Sequence, residues 1–194
     1  PPAGPVFLSI PLDDCDKPAT GPAVVRSVAR RIGPDPDEIS AFADALSSAK
    51  NPALIYGSGI ARGEGWDTGI KLAEKLNVKV WAAPASERTP FPETHPLYAG
   101  GLPFAIAPLS KKLEGHDLAI VIGAPVFRYY PYIAGQYIPD GLRLLHITDD
   151  PAEAGRAPVG DSLLSDPVLA LEELLARVKP RKAAPAGIAR QEHR

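Results

Sequence analysis

The sequence predicts a doubly wound α/β fold around a parallel sheet of about five to six strands, Rossmann-like in layout, and three observations carry that reading. Short apolar segments without polar alternation recur along the chain, as in "ALIYG", "VKVWAA" and "DLAIVIG". Strands of that kind are buried on both faces, which parallel sheets achieve by covering each face with helices. Helical periodicities separate these segments, so strand and helix alternate as crossover connections require. Asp35, Asp150 and Asp166 stand where helices or turns begin, each free to cap exposed backbone N–H groups.

Taken in order, Val6–Ile10 reads as a first strand, and the polar, proline-bearing stretch from Asp13 to Pro36 as an arm crossing a surface. In "PDPDEISAFADALSSAKNP", Asp35 is the N-cap and Pro36 the first helical residue. Ile39, Phe42, Ala43 and Leu46 then recur at helical spacing, and the helix ends before Pro52. "ALIYG" is the next strand, Trp66, Ile70 and Ala73 mark a helix to about Leu76, and "VKVWAA" follows as a strand. An irregular stretch, "PASERTPFPETHPLYAGGLP", leads to a helix around Ala105–Leu113, whose Lys111 and Lys112 suit the negative end of its dipole. "DLAIVIG", "LRLLHIT" and "APVGDSLL" supply three further strands, and "DPVLALEELLARV" closes as a helix capped by Asp166. Residues 1–34 are expected to be the end of a preceding domain and a linker arm, 35–179 the α/β domain, and 180–194 a linker to a third domain. The chain holds no methionine and opens on a strand already under way, so it is expected to be a piece of a longer protein.

Composition narrows the function classes. With 45% hydrophobic residues, 21 basic and 23 acidic side chains and a formal charge of −2, nothing suggests an electrostatic grip on nucleic acid or anionic lipid. Cys15, the single cysteine, cannot form an internal disulfide, and no cysteine and histidine cluster has metal-ligand spacing. No metal site is therefore expected, and a reducing, cytoplasmic setting fits better than an extracellular one. The sequence contains neither an apolar run of about 18 residues nor a signal-peptide pattern.

In an open parallel sheet ligands sit beyond the carboxyl ends of the strands, so the loops after Tyr56, Ala82, Ile122 and Thr148 are the places to search. "YGSGIARGEG" is a glycine-rich strand-to-helix turn. Gly57, Gly59 and Gly63, with Asp149 after a later strand, could form a nucleotide pocket for FAD, NAD or ADP, or could serve close packing. Asp150 reads as the cap of the turn begun by Pro151, and His95, between prolines, as a structural turn residue. No Walker sequence, nucleophile elbow or zinc-protease helix is present, so the chain alone carries no catalytic constellation.

The residues also support a resemblance. "GPVFLSIPLDD", "NPALIYGSGIARG", "FPETHPLYAGGLP", "LEGHDLAIVIGAPVFRYY", "ITDDPAEAGRAPVGD" and "DPVLALEELL" together resemble, in order, the central domain of the thiamine diphosphate-dependent decarboxylases of the benzoylformate decarboxylase kind. The resemblance implies a carboxy-lyase acting on an aromatic 2-oxo acid, converting benzoylformate to benzaldehyde in a homotetramer. Thiamine diphosphate and Mg²⁺ would then be bound mainly by the other two domains of the same chain, and this portion alone would not be catalytic. It further implies that the loop after "VIGAP" reaches the active-site cleft. The family places a catalytic histidine two residues after the arginine of "FR", which falls on Tyr130, so this sequence departs there. A tyrosine with an ordinary pKa of about 10 donates a hydrogen bond where a histidine would shuttle protons. Tyr130 is thus the candidate catalytic residue, with aromatic packing against a neighbouring domain as its alternative. Arg128 is the candidate for steering a substrate carboxylate, with an ion pair as its alternative.

Overall fold

The structure, a computed structural model, describes residues 4–19, 21–128 and 130–181. Six strands form one sheet: β1 (Pro52–Tyr56), β2 (Val80–Ala82), β3 (Tyr98–Gly101), β4 (Leu118–Ile122), β5 (Arg143–Thr148) and β6 (Asp161–Leu164). Their order is β3-β2-β1-β4-β5-β6, and every neighbouring pair is parallel. The helices are α1 (Pro36–Ser48), α2 (Ser58–Arg62), α3 (Trp66–Leu76), α4 (Ile106–Lys112), α5 (Pro151–Arg156) and α6 (Pro167–Arg177).

The absence of polar alternation in the strands has its expected cause, because the sheet is covered on both faces. Leu54, Tyr56, Ile120, Ile122, Leu145 and Ile147 point to one face, against Ile39, Phe42 and Leu46 of α1, Leu72 and Leu76 of α3, and Leu171 and Leu174 of α6. Ala53, Ile55, Ala119, Val121 and Leu144 point to the other, against Ile106 and Leu109 of α4 and the loop residues Val126, Phe127 and Leu142. β1, β2, β4 and β5 thus feed two apolar layers through their period of two.

Asp35, Asp150 and Asp166 each accept two backbone N–H groups at the start of α1, α5 and α6, and each is followed by proline. These are the caps that the sequence indicates. α3 ends on Asn77 in the left-handed conformation.

Three expectations need correction. Val6–Ile10 is not a strand: Val6 is 91% and Phe7 93% exposed, and among the described residues no strand lies beside the segment to complete its hydrogen bonds. The stretch from Pro84 to Pro103 is not wholly irregular, since Tyr98–Gly101 pairs with β2 as the edge strand β3. The glycine-rich turn after β1 winds into the short helix α2. The arm before α1 is otherwise exposed, with a single 3-10 turn at Leu12–Asp14. It docks where Arg31 makes two 2.9 Å hydrogen bonds to the Asp166 carboxylate and the Ile32 carbonyl accepts the Asp166 N–H at 2.8 Å. Most of the expected second linker, residues 182–194, lies outside the described residues.

Candidate functional site

From β1 the chain moves outward through β2 to β3, whereas from β4 it moves through β5 to β6 on the other side. The connections after β1 and β4 therefore diverge, and a crevice opens between them at the carboxyl end of the sheet. A cleft of about 830 Å³ lies there, lined by Ser58, Gly59, Arg62 and Gly63 from the first turn, Arg128 and Tyr130 from the loop after β4, and Thr148, Asp149 and Glu153 after β5. Sequence-nominated residues from three loops thus meet at one place.

The glycine-rich turn forms one wall, and its backbone is already engaged. The Gly57 N–H donates to the Ile122 carbonyl at 2.9 Å, the Gly59 N–H to the Gly123 carbonyl at 2.9 Å, and the Gly63 N–H to the Gly59 carbonyl at 3.1 Å. A Cβ on Gly57 would come within 2.4 Å of the Gly123 oxygen, one on Gly59 within 2.8 Å of the Gly123 Cα, and one on Gly63 within 2.6 Å of a Val168 methyl. Of the two expectations for Gly57, Gly59, Gly63 and Asp149, this geometry favours close packing over a nucleotide pocket. Gly59, Gly63 and Asp149 do share the cleft, but the glycines let the two turns and Val168 of α6 approach closely, and the Gly57, Gly59 and Gly63 N–H groups are used within the protein.

Two polar groups in the cleft had no signal strong enough to single them out. Glu87, from the irregular stretch after β2, accepts the Ser58 hydroxyl at 2.6 Å and pairs with Arg62. The Ser58 hydroxyl foremost, and then its own backbone N–H and Arg62, hold the Glu87 carboxyl below the usual carboxylate range against the opposing effect of burial. Glu153, on α5, is largely covered and pairs with both Arg128 and Arg156.

Arg128 is therefore engaged in an ion pair across the cleft, with 71% of its side chain exposed. Tyr130 is 81% exposed at the cleft mouth, held through its N–H, which donates to the Phe104 carbonyl at 3.4 Å. Phe104, itself exposed, and Tyr130 give this rim an aromatic character. His95 is a structural turn residue, as its sequence suggests: its ring packs edge-on to Phe91 and its Nδ1 accepts the Leu97 N–H. Among the described residues no group of three or more His, Cys, Asp or Glu side chains is placed to hold a metal ion, and no helix is long and apolar enough to cross a membrane.

Comparison with known proteins places this architecture among relatives. Residues 39–174 match the family described as thiamine pyrophosphate enzyme, central domain. Benzoylformate decarboxylase of Pseudomonas aeruginosa is 44% identical over 184 residues, which is 93% of this chain and 35% of that protein. The crystal structure of benzoylformate decarboxylase from Polynucleobacter necessarius superposes with a TM-score of 0.90 at 56% identity, over 93% of this chain and 34% of the other. A thiamine diphosphate-dependent 4-hydroxybenzoylformate decarboxylase of Rhodococcus jostii gives a TM-score of 0.78 at 44% identity, over 84% of this chain and 31% of the other. The chain thus spans about a third of the length of these relatives.

Proposed function

The chain belongs to the thiamine pyrophosphate enzymes, as their central domain, and on that premise we propose that it is the scaffold and assembly domain of a benzoylformate decarboxylase-like enzyme. In the full-length protein that enzyme removes CO₂ from an aromatic 2-oxo acid, benzoylformate giving benzaldehyde. The observation that carries this reading is the 44% identity to benzoylformate decarboxylase across 93% of the chain. A likeness in sequence over nearly the whole chain constrains function more than the shared fold does.

When bound, thiamine diphosphate would supply an electron sink for the reaction, with Mg²⁺ on its diphosphate. The described residues do not fit that group: they hold no cluster of three or more His, Cys, Asp or Glu for a metal, and the Gly57, Gly59 and Gly63 N–H groups are engaged. In this reading the cofactor site belongs to the other domains of a full-length, homotetrameric, cytoplasmic enzyme, and the domain alone is noncatalytic. Within it, Tyr130 reaches toward the active-site cleft and orients the substrate or a water through its hydroxyl. Arg128 steers the incoming carboxylate, exchanging its Glu153 partner for the substrate.

The test uses the full-length protein with Tyr130→Phe and Tyr130→His on benzoylformate and other 2-oxo acids. Loss of one orienting hydrogen bond is expected to lower kcat/KM about ten-fold in Tyr130→Phe. Unchanged turnover of every accepted substrate by that variant would remove the hydroxyl from the reaction, and failure of the parent to decarboxylate any aromatic 2-oxo acid would remove the assignment.

A further inference from the structure

His146 lies in the middle of β5, in register with Val121 of β4 and Ser162 of β6, and is fully buried. Apolar residues fill the neighbouring positions Leu144, Leu145 and Ile147, so packing alone does not call for an imidazole here. Burying one is unfavourable unless both ring nitrogens find partners. Both do. Nε2 lies 2.9 Å from the Ala124 carbonyl oxygen, and Nδ1 lies 2.9 Å from the Ser162 Oγ. A carbonyl oxygen only accepts, so Nε2 carries the proton, and the unprotonated Nδ1 accepts from the Ser162 hydroxyl. Burial foremost disfavours the charged ring, outweighing the Ala124 carbonyl and Glu153, in keeping with this single neutral tautomer.

The far end of this relay is the point where the cleft loop leaves the sheet. Gly123, at φ +71, turns the chain after β4, and its N–H is held by the Ile147 carbonyl at 2.9 Å. Ala124 comes next. Farther along, the Phe127 carbonyl accepts from the Tyr137 hydroxyl at 2.6 Å, and Arg128 pairs with Glu153. Of these ties, those from Ile147 and His146 both come from β5, and the His146 one is made by a side chain.

We propose that His146 is a positioning residue: through its hydrogen bond to Ala124 it sets the course of the loop that carries Arg128 and Tyr130, touching neither substrate nor cofactor. Its effect on turnover rests on the decarboxylase reading above; its effect on the loop does not.

The test uses the full-length protein and three variants. In His146→Leu the Ala124 carbonyl is left buried without this donor, so amide hydrogen exchange at Ala124, Val126 and Phe127 is expected to accelerate selectively over β1 and β4. kcat/KM for 2-oxo acids is expected to fall about ten-fold or more, carried mainly by kcat. His146→Gln, whose amide can donate to the same carbonyl, is expected to restore much of both. Ser162→Ala alters an exposed position and keeps the fold accessible to test if His146→Leu does not fold. It is expected to keep the wild-type Nε2–H ring signature, read from the ¹⁵N shifts, because the Ala124 carbonyl still only accepts. Exchange that rises no more in the loop than in the strands, or a wild-type ring protonated at Nδ1, would overturn the proposal. Neither measurement needs substrate. A selectively loosened loop in a protein that turns over no 2-oxo acid would sink the decarboxylase reading and leave the positioning role standing.

Discussion

A methyl group on Gly57 would lie 2.3 Å from the Ala124 Cβ and 2.4 Å from the Gly123 carbonyl oxygen, both fixed to main chain that cannot swing away. Gly155, inside α5, has nothing within 4 Å of the same hypothetical atom. The two positions therefore predict opposite signs. Gly57→Ala must displace the turn after β4 and is expected to destabilise by about 1–3 kcal/mol, the cost of overpacking. Gly155→Ala gains helix propensity and restricts the unfolded chain, so it is expected to stabilise by up to about 1 kcal/mol. Urea unfolding of the two variants measures both, and an unaffected Gly57→Ala would contradict the close approach that displaces the phosphate reading of this turn. The same contact joins the glycine turn to Gly123, the residue from which the loop with Arg128 and Tyr130 begins. A small residue at Gly57 thus bears on the cleft without lining it.

At the scale of elements, α6 hangs on Asp166. Its Oδ1 accepts the Val168 and Leu169 N–H groups at 2.9 and 3.0 Å, while the carboxylate also binds Arg31. Burial on its own would raise the Asp166 pKa, but the hydrogen bond from Arg31 and the two backbone donors outweigh it and hold the carboxyl below its ordinary value. The unfolded chain then takes up a proton before the folded one as pH falls. The associated stability is complete above the ordinary aspartate pKa of about 3.9 and is lost as pH falls through the lower folded value. Asp166→Asn keeps a capping oxygen and is expected to flatten this acid limb with a modest loss at neutral pH. Asp166→Ala loses the cap too and is expected to cost about 1–2 kcal/mol at neutral pH. Thermal melts of both variants from pH 7 down to pH 3 separate the two contributions. Such Asp-Pro starts were the most legible part of the fold, because capping is local chemistry that the sequence writes within a few residues, as at Asp35, Asp150 and Asp166. β3 was not legible: "YAGG" is a half-exposed edge strand whose two glycines carry no apolar signal. Val6–Ile10 misled in the opposite direction, since its apolar residues suit a strand but pairing depends on a neighbour that no local pattern supplies. In the site, Arg128, Tyr130 and Asp149 came together because strand order places those loops side by side. Glu87 and Glu153 did not announce themselves, because their importance lies in Ser58, Arg62 and Arg128 across the cleft.

Over the whole molecule, the two apolar layers are built from residues 39–178, and the arm before them adds no buried side chain. The described residues from Gly4 to Arg30 are all exposed, among them Val6, Phe7, Leu8, Leu12, Val24, Val25 and Val28. An apolar segment left in water contributes nothing to the sheet's stability and offers surface for association. Among the described residues the arm is hydrogen-bonded to the domain at its end, where Arg31 and Ile32 meet Asp166 and where the Ser165 hydroxyl donates to the Ile32 carbonyl at 3.1 Å. Two truncations of this chain therefore separate the free part of the arm from the docked part. Removing residues 1–28 deletes, among the described residues, exposed chain only, and Tm is expected to stay within about 2–4 °C of the parent, the shift that corresponds to 1 kcal/mol in a domain of this size. Removing residues 1–33 also takes away Arg31 and Ile32, leaves the Asp166 N–H and the Ser165 hydroxyl without their shared acceptor, and is expected to lower Tm by more than that. Calorimetry on both gives the answer: equal losses would mean that the free arm holds the sheet together after all, and no loss in either would mean that the docking at Asp166 carries no stability. The expected split leaves the arm as a tether joined at the same helix start that closes one side of the cleft. Tension or displacement in whatever lies before this domain would then reach the cleft through Asp166 before it reached the sheet.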